Sequence, residues 1–248
     1  MLICCDGRDA HALPMSYLNF FVYEAAETKM IIKLIKPKDV VFDIGANIGW
    51  YTINILQHKK ASVYSFEPIK SSYHYLVENL KMNGQKYDKA YNIGFSDENK
   101  TVKFYFDTKC AMASSMANLR EDENTAMEEC RVKRLDDFVS STISLTKLDF
   151  IKCDVEGAEL FVFQGAVETL KKHKPIVFAE MLRKWSKKFG YHPNDIIALF
   201  RAIGYGCYVI DNGCIVEFGL VNEGTIETNY LFFHKKKHGE LIRKLKVK

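Results

Sequence analysis

The sequence predicts an α/β fold in which a mostly parallel sheet carries helices on both faces. Short apolar runs alternate with segments of helical spacing along most of the chain, which is the order that a parallel sheet requires. The first apolar run, 40–43, is followed at once by a glycine turn and then by a helical pattern from Gly49. Open α/β sheets bind ligands at such strand–turn–helix junctions.

The composition is that of an ordinary globular domain. The chain has 248 residues, of which 48% are hydrophobic and 27% charged, enough for one large domain with a substantial core. The net charge of +4 is too small to indicate nucleic acid as a partner. No run approaches the roughly 18 apolar residues of a membrane span, and the N-terminus lacks the pattern of a signal peptide. Neither feature is therefore expected.

Seven cysteines are spread along the chain without a C-x-x-C pair or a Cys/His spacing typical of zinc sites. Free thiols in a reducing compartment account for this pattern, so we expect a cytoplasmic location. The final residues are rich in lysine and arginine. They predict a solvated terminal helix, with contact to a membrane or RNA as the alternative.

Helices are predicted where apolar residues recur at intervals of three and four. The segments with this spacing are 17–36, 49–59, 71–83, 195–203 and a stretch that follows Asp154 and runs to about residue 173. Pro37 ends the first helix, and Asn83-Gly84 is typical of a helix C-terminus.

Strands are predicted in short apolar or alternating runs between turn residues. After the first run they are 61–67, 89–95, 101–106, 148–153, 175–179, 205–210 and 229–233, with a turn at 211–213. The run 101–106 alternates like an edge strand. The stretch 107–130 is polar and irregular, and a segment of this length is expected to be a lid or an acceptor-binding loop; a surface insertion is the alternative.

The glycine turn has the spacing Asp43-x-Gly45-x-Asn47-x-Gly49. A dinucleotide site uses G-x-G-x-x-G, so that the backbone can close on a pyrophosphate, and Asp43 would repel that phosphate. A cofactor with a cationic ammonium and no phosphate fits better, and S-adenosylmethionine has that character. The alternative is that the glycines make only a tight turn.

A second acid lies about 20 residues beyond the glycine turn. The strand 61–67 ends at Glu67, and Pro68 stops it because proline cannot continue a ladder. An acid at the end of the second strand is placed to hold ribose hydroxyls. The loop after the third strand adds Ser96 and Asp97 at the same edge.

Four predicted strands end in an acid: Asp43, Glu67, Asp154 and Glu180. Because ligands lie beyond the carboxyl ends of parallel strands, these carboxylates are expected around one crevice. Asp154 and Glu180 would orient an acceptor, act as a general base or hold a divalent cation such as Mg²⁺. His192 is a further candidate base, since histidine titrates near neutral pH.

Three blocks of sequence, 41–49, 66–68 and 149–159, occur together, and the segments 114–115, 135–138 and 230–233 fit the same pattern. They resemble the FkbM family of class I S-adenosylmethionine-dependent methyltransferases over about residues 24 to 235. The resemblance implies a Rossmann-like, seven-stranded sheet with an antiparallel last strand. It also implies O-methylation of a carbohydrate hydroxyl on a nucleotide sugar, a glycan or a glycosylated natural product.

The resemblance assigns roles to particular residues. It places the methionine portion of the cofactor on Asp43, Gly45, Asn47 and Gly49, and the ribose on Glu67. The complete predicted cofactor-binding set is Asp43, Gly45, Ala46, Asn47, Gly49, Glu67, Pro68, Ser96 and Asp154. The catalytic candidates are Asp154, Glu180 and His192, and the candidate metal ligands are Asp154, Glu156 and Glu180. For Glu156 the alternative is an acid that the helix dipole favours in a first turn.

The predicted organisation is an N-terminal helical segment (1–38), a methyltransferase domain (39–235, with 107–130 as the acceptor loop) and a basic tail (236–248). The expected partner is a small-molecule or glycan acceptor. Two other functions stay open. One is a nucleic-acid methyltransferase, although no N-P-P-Y-type tetrad is present. The other is a cofactor-binding interaction module without catalysis.

Overall fold

The structure, a computed structural model, describes residues 1–5, 24–107, 110–115 and 125–246. Its strands are β1 (Val40–Ile44), β2 (Ser62–Phe66), β3 (Ala90–Tyr91), β4 (Gly94–Phe95), β5 (Lys100–Asp107), β6 (Cys110–Ser115), β7 (Thr125–Lys133), β8 (Phe150–Cys153), β9 (Ile176–Glu180), β10 (Tyr205–Asp211), β11 (Cys214–Glu217) and β12 (Asn229–His234).

The helices are α1 (Ala25–Leu34), α2 (Trp50–His58), α3 (Lys70–Met82), α4 (Leu135–Ser141), α5 (Glu159–Gln164), α6 (Val167–His173), α7 (Arg183–Ser186), α8 (Pro193–Ala202) and α9 (Gly239–Leu245). A 3₁₀ turn, Lys187–Phe189, follows α7. Across these described segments, none of the helices combines the length and the apolar character that crossing a bilayer demands.

The main sheet has the strand order β11-β10-β12-β9-β8-β1-β2-β3. Strands β9, β8, β1, β2 and β3 are parallel to their neighbours in this series, and β12 pairs antiparallel with both β9 and β10. The mostly parallel sheet and the antiparallel last strand are therefore confirmed.

The main sheet has eight strands where seven were expected. The extra strand is β11, which forms a hairpin with β10 around Asn212 and Gly213. Both turn residues have positive φ (46° and 77°), as a two-residue type I′ turn requires. The predicted turn at 211–213 is thus present, and it adds an edge strand.

A second sheet has the order β4-β7-β5-β6. The prediction that 107–130 is irregular is wrong for its described part, since 110–115 and 125–130 lie in strands; 108–109 and 116–124 lie outside the described residues. Strand β7 buries only some of its side chains, Cys130 and Val132 among them. Its other side chains include four charged ones, so the segment has the composition of a loop, although β7 pairs with β5 along its length.

Two predicted elements are divided. The predicted strand 89–95 forms β3 in the main sheet and β4 in the second sheet. The helix predicted to follow Asp154 forms α5 and α6, which are separated at Gly165. A Cβ at Gly165 would lie 2.1 Å from the carbonyl oxygen of Ser96, so the close approach of this turn to the Ser96 loop requires glycine.

The core lies on both faces of the main sheet. On one face Phe42, Ile151 and Val177 pack against α4, α5, α6 and α8. On the other face Val41 and Phe150 share a cluster with buried residues of α1, α2 and α9. The predicted basic tail thus includes a helix whose apolar side packs in the core, because Ile242 and Leu245 of α9 are buried.

Candidate active site

Strands β1, β8 and β9 change from apolar to polar on one face as they approach their carboxyl ends. Along that face the side chains are Val41 and Asp43 on β1, Phe150, Lys152 and Asp154 on and after β8, and Ile176, Phe178 and Glu180 on β9. Alternate strand residues share a face, and Asp43 pairs in register with Lys152. We call Asp43, Lys152, Asp154 and Glu180 the polar edge.

The glycine loop 45–49 lies at the end of β1. Gly45 and Gly49 have φ of 72° and 94°, and Asn47 has φ of 49°, all in the left-handed region. The backbone N–H groups of Gly45 and Ala46 both donate to the carbonyl of Phe66, at 3.0 Å. The loop is therefore anchored on the end of β2, and the predicted loop residues lie together.

Gly45 also brings the loop against the chain that follows β8. A Cβ at this position would lie 1.8 Å from the carbonyl oxygen of Asp154, which leaves no space for a side chain. The N–H of Asp154 in turn donates to the carbonyl of Ile44 at 3.1 Å. The glycine loop and the Asp154 loop are thus in direct backbone contact.

Glu67 supports the glycine loop from β2. Its Oε2 accepts the N–H of Asn47 and its Oε1 accepts the N–H of Ile69, both at 2.9 Å. Only 5% of Glu67 is exposed, and this burial raises its pKa to about 7 although the two hydrogen bonds act in the opposite direction. The next residue, Pro68, packs beside Gly94. The carboxylate therefore holds the glycine loop in place, and its contact with a ribose stays a prediction.

Asp43 lies fully buried beneath this loop. Its Oδ2 accepts the hydroxyl of Thr52 at 2.6 Å. Its Oδ1 has no hydrogen-bond partner among the described residues and lies 3.6 Å from Nζ of Lys152. This geometry favours support of the loop from below; the direct contact with a cofactor stays a prediction.

Lys152 was not among the site residues predicted from sequence. It is 3% exposed, and its ammonium donates to the carbonyl of Gly45 at 2.7 Å. The same ammonium lies 3.4 Å from Oδ2 of Asp154 and 5.4 Å from the ring centroid of Tyr51. Burial acts to lower its pKa, but the carboxylates of Asp154 and Asp43 outweigh burial and raise it, so the lysine is charged.

Three carboxylates meet next to Lys152. One oxygen each of Asp154, Glu156 and Glu180 lie within 4.8 Å of one another, and we call these residues the acid cluster. Burial and then the neighbouring carboxylates raise the pKa of Glu180 to about 11 and that of Glu156 to about 8. Like charges this close do not all ionise at neutral pH, so the acid cluster retains protons.

Glu159 holds the backbone that presents Glu156. Its Oε1 accepts the N–H groups of Val155 and Gly157 at 3.2 and 3.0 Å, and the Tyr191 hydroxyl lies 3.2 Å from its Oε2. Glu156 and Gly157 have φ of 52° and 101°, so this turn is strained at Glu156. Glu159 is buried, which raises its pKa to about 7. It is a supporting residue that the sequence did not identify.

Two predicted site residues have other partners. His192 is exposed and caps α8, where its Nδ1 accepts the N–H of Asn194 at 3.2 Å. Ser96 is buried, and its hydroxyl donates to Asp97 at 2.9 Å. These contacts explain both side chains locally, and their roles in catalysis and cofactor binding stay predictions.

Residues before β1 also reach this region. The hydroxyl of Tyr51 donates to Oε2 of Glu24, which directly precedes α1. One turn along the helix, Glu27 accepts a hydrogen bond from the Asn229 amide at 3.4 Å. The predicted helical segment is thus joined to the edge of the site; its residues 6–23 lie outside the described part of the chain.

Because the buried glutamates have raised pKa values, we expect the stability of the fold to depend on pH. An acid whose pKa is higher in the folded than in the unfolded state stabilises the fold only while protonated. Unfolding free energy should therefore fall from about pH 5 towards pH 8, by up to about 1.4 kcal/mol per pH unit for each such group. Urea unfolding at several pH values measures this, and Glu180→Gln should reduce the slope. Equal slopes for both proteins would contradict the assignment.

The comparisons with known proteins agree with this geometry. Residues 43–207 match the model of the methyltransferase FkbM domain. The chain is 30% identical over 159 residues to 2-O-methyltransferase NoeI of Sinorhizobium fredii, covering 58% of this chain and 64% of that protein. It is 24% identical over 144 residues to Methyltransferase 1 of Beauveria bassiana, covering 50% of this chain and 57% of that one.

A solved structure of an FkbM methyltransferase from Methylobacillus flagellatus superposes with a TM-score of 0.49 and 17% identity, over 88% of this chain and 52% of that one. The chain therefore spans less than two thirds of the length of these relatives. The family match covers more than half of the chain and includes the glycine loop and the acid cluster. On this evidence the chain belongs to the FkbM methyltransferase family.

Proposed function

We propose that this chain is an S-adenosylmethionine-dependent O-methyltransferase that acts on a carbohydrate hydroxyl. The observation that carries the proposal is the backbone contact between Gly45 and Asp154, because it joins a cofactor-type glycine loop to a cluster of carboxylates. Membership in the FkbM family supports methyl transfer. The relative NoeI, a 2-O-methyltransferase, supports oxygen as the acceptor atom. A cytoplasmic location is part of the same proposal.

The cofactor side of the site is the glycine loop with Glu67. S-adenosylmethionine, when bound, supplies a methyl group on a positively charged sulfur. The loop residues Gly45, Asn47 and Gly49 would hold its methionine portion, and Glu67 its ribose hydroxyls. The carboxylates of the polar edge exceed its single buried ammonium, that of Lys152, and this excess of negative charge suits a cationic cofactor.

The acceptor side is the acid cluster. Methyl transfer to an alcohol is an in-line displacement, so the acceptor oxygen must be held in line with the methyl–sulfur bond while its proton is removed. The pKa of Glu156, about 8, lies close to neutral pH, which suits its deprotonated form to accept the proton of the acceptor hydroxyl. Glu180, whose pKa is raised to about 11, would stay protonated and donate a hydrogen bond in the same cluster. Asp154, the member of the acid cluster that adjoins the glycine loop, would orient the hydroxyl.

The acid cluster also fits a divalent cation. Three carboxylates within 4.8 Å of one another are the oxygen donors that Mg²⁺ prefers. A bound cation would lower the pKa of the acceptor hydroxyl and stabilise the alkoxide.

We expect a chelator to abolish methyl transfer and added Mg²⁺ to restore it. Affinity for the cation should increase from pH 6 to pH 8, because Glu156 and Glu180 must lose protons to bind it. Mn²⁺ binding followed by electron paramagnetic resonance measures this directly, with Glu180→Gln as the weakened variant and Glu78→Gln, an exposed glutamate on α3, as the control. Full activity in chelator would remove the metal from the proposal.

The substrate class is tested with methyl-labelled S-adenosylmethionine and a cell extract. Label in nucleotide-sugar or saccharide fractions supports the proposal. Label in RNA or protein would replace the acceptor class and leave the cofactor in place. Cofactor binding without transfer to any fraction would favour the non-catalytic interaction module.

A further inference from the structure

Lys152 occupies the junction between the two halves of the site. Its ammonium contacts the carbonyl of Gly45 in the glycine loop, the carboxylate of Asp43 beneath the loop, and Asp154 of the acid cluster. A buried ammonium is costly unless it is paired and hydrogen-bonded, and these three oxygen groups provide that pairing. The position of this single group therefore depends on both halves.

A second lysine provides a comparison at the opposite end of the same two strands. Lys147 also bridges two acids, with its Nζ 2.7 Å from Asp149 and 3.5 Å from Asp39. Its side chain, however, is 46% exposed, whereas that of Lys152 is 3% exposed. An exposed bridge of this kind contributes little, while a buried one holds its partners in place.

The loop needs such a support because its backbone is unusual. Gly45, Asn47 and Gly49 all have positive φ, so the loop is not part of a regular hydrogen-bonded element. Glu67 fixes the loop from β2 through the N–H of Asn47, and Lys152 fixes it from β8 through the carbonyl of Gly45. The two contacts hold different parts of the loop. Of these two side chains, Lys152 is the one whose charged group also lies next to the carboxylate of Asp154.

We propose that Lys152 is a positioning residue that sets the Gly45 end of the glycine loop relative to Asp154, and so aligns the methionine portion of the cofactor with the acid cluster. This inference rests on the proposed use of S-adenosylmethionine. It predicts that the lysine matters for the amino-acid portion of the cofactor and little for the nucleoside portion, which Glu67 would hold from the other strand.

The test compares two ligands by calorimetry: S-adenosylmethionine, and 5′-methylthioadenosine, which lacks the amino-acid portion. In Lys152→Met we expect affinity for S-adenosylmethionine to fall about 10- to 100-fold, the effect of losing hydrogen bonds to a charged group. Affinity for 5′-methylthioadenosine should stay within about threefold of wild type, since Glu67 and its loop contact remain. Lys147→Met, which removes an equal charge, should leave both affinities unchanged.

The outcomes separate this inference from the function on which it rests. If the wild-type protein binds neither ligand, the proposed function fails. If the wild-type protein binds both ligands and Lys152→Met weakens both equally, the positioning role is overturned, because a general loss of structure affects the two ligands alike. If Lys152→Met weakens neither, the lysine has no role in cofactor binding and the proposal is overturned as well.

Lys152→Arg keeps the buried charge balanced and protects the test against misfolding of the methionine variant. The planar guanidinium does not place a donor at the position of the ammonium. We therefore expect a smaller loss of affinity, again confined to S-adenosylmethionine. Equal changes in the two affinities of this variant would also overturn the proposal.

Discussion

Gly45→Ala is expected to abolish binding of S-adenosylmethionine and to destabilise the fold by about 4 kcal/mol or more. Two effects add. An alanine at φ 72° is strained by roughly 1 kcal/mol. The larger effect is steric, because the new Cβ would lie 1.8 Å from the carbonyl oxygen of Asp154, a backbone atom that cannot rotate away. The glycine loop and the Asp154 loop would have to separate.

Gly84→Ala is the matched control for this substitution. Gly84 has a φ of 68°, close to that of Gly45, but a Cβ there meets nothing within 4 Å. In this variant backbone strain alone should lower the free energy of unfolding, by about 1 kcal/mol in urea titration, and the affinity for S-adenosylmethionine should not change. If Gly45→Ala binds S-adenosylmethionine as well as Gly84→Ala does, the loop contact is not needed for the site.

Glu67→Ala is expected to reduce affinity for S-adenosylmethionine at least 100-fold, about 2.8 kcal/mol. The substitution removes the predicted ribose contact. It also leaves the N–H groups of Asn47 and Ile69 without their carboxylate acceptor, and each such bond contributes about 1.5–3 kcal/mol. Unlike Lys152→Met, this variant should lose affinity for 5′-methylthioadenosine as well, because the nucleoside itself is no longer held.

Glu78→Ala controls for the loss of a glutamate. Glu78 is on the exposed side of α3 and pairs with Lys81 at 2.8 Å, so its removal should change cofactor affinity by less than twofold. Unchanged calorimetric affinity in Glu67→Ala would contradict the assignment of the cofactor site to the ends of β1 and β2.

The fold could be predicted wherever a sequence pattern reflects burial. Strand β1 is an apolar run because it lies inside the sheet between β8 and β2, and the glycine turn that ends it is needed because the Asp154 carbonyl approaches Gly45 closely. The second sheet could not be predicted in the same way. Strand β7 is largely polar and gains its strand conformation from pairing with β5, a contact between segments distant in sequence.

The candidate site could be predicted where acids follow apolar strands. Asp154, Glu156 and Glu180 are indeed brought together. Lys152 was missed because a lysine in a strand usually faces solvent. The structure shows instead that every residue of β8 is buried. A buried ammonium requires charged or polar partners, which Lys152 has in Asp43 and Asp154. Glu159 was missed because an acid in a first helical turn already has a sufficient explanation in the helix dipole.

The alternation of residues between the two faces of β8 limits how the length of this chain can change during evolution. Inserting or deleting one residue within the strand would exchange Lys152 and Cys153 between the faces, placing an ammonium in the apolar core and a thiol at the polar edge. Inserting or deleting two residues would return each side chain to its original face but would shift the ammonium by about 7 Å along the strand. Natural variation in length should therefore accumulate in the connections, such as the β10–β11 turn, while these strands keep their residue count.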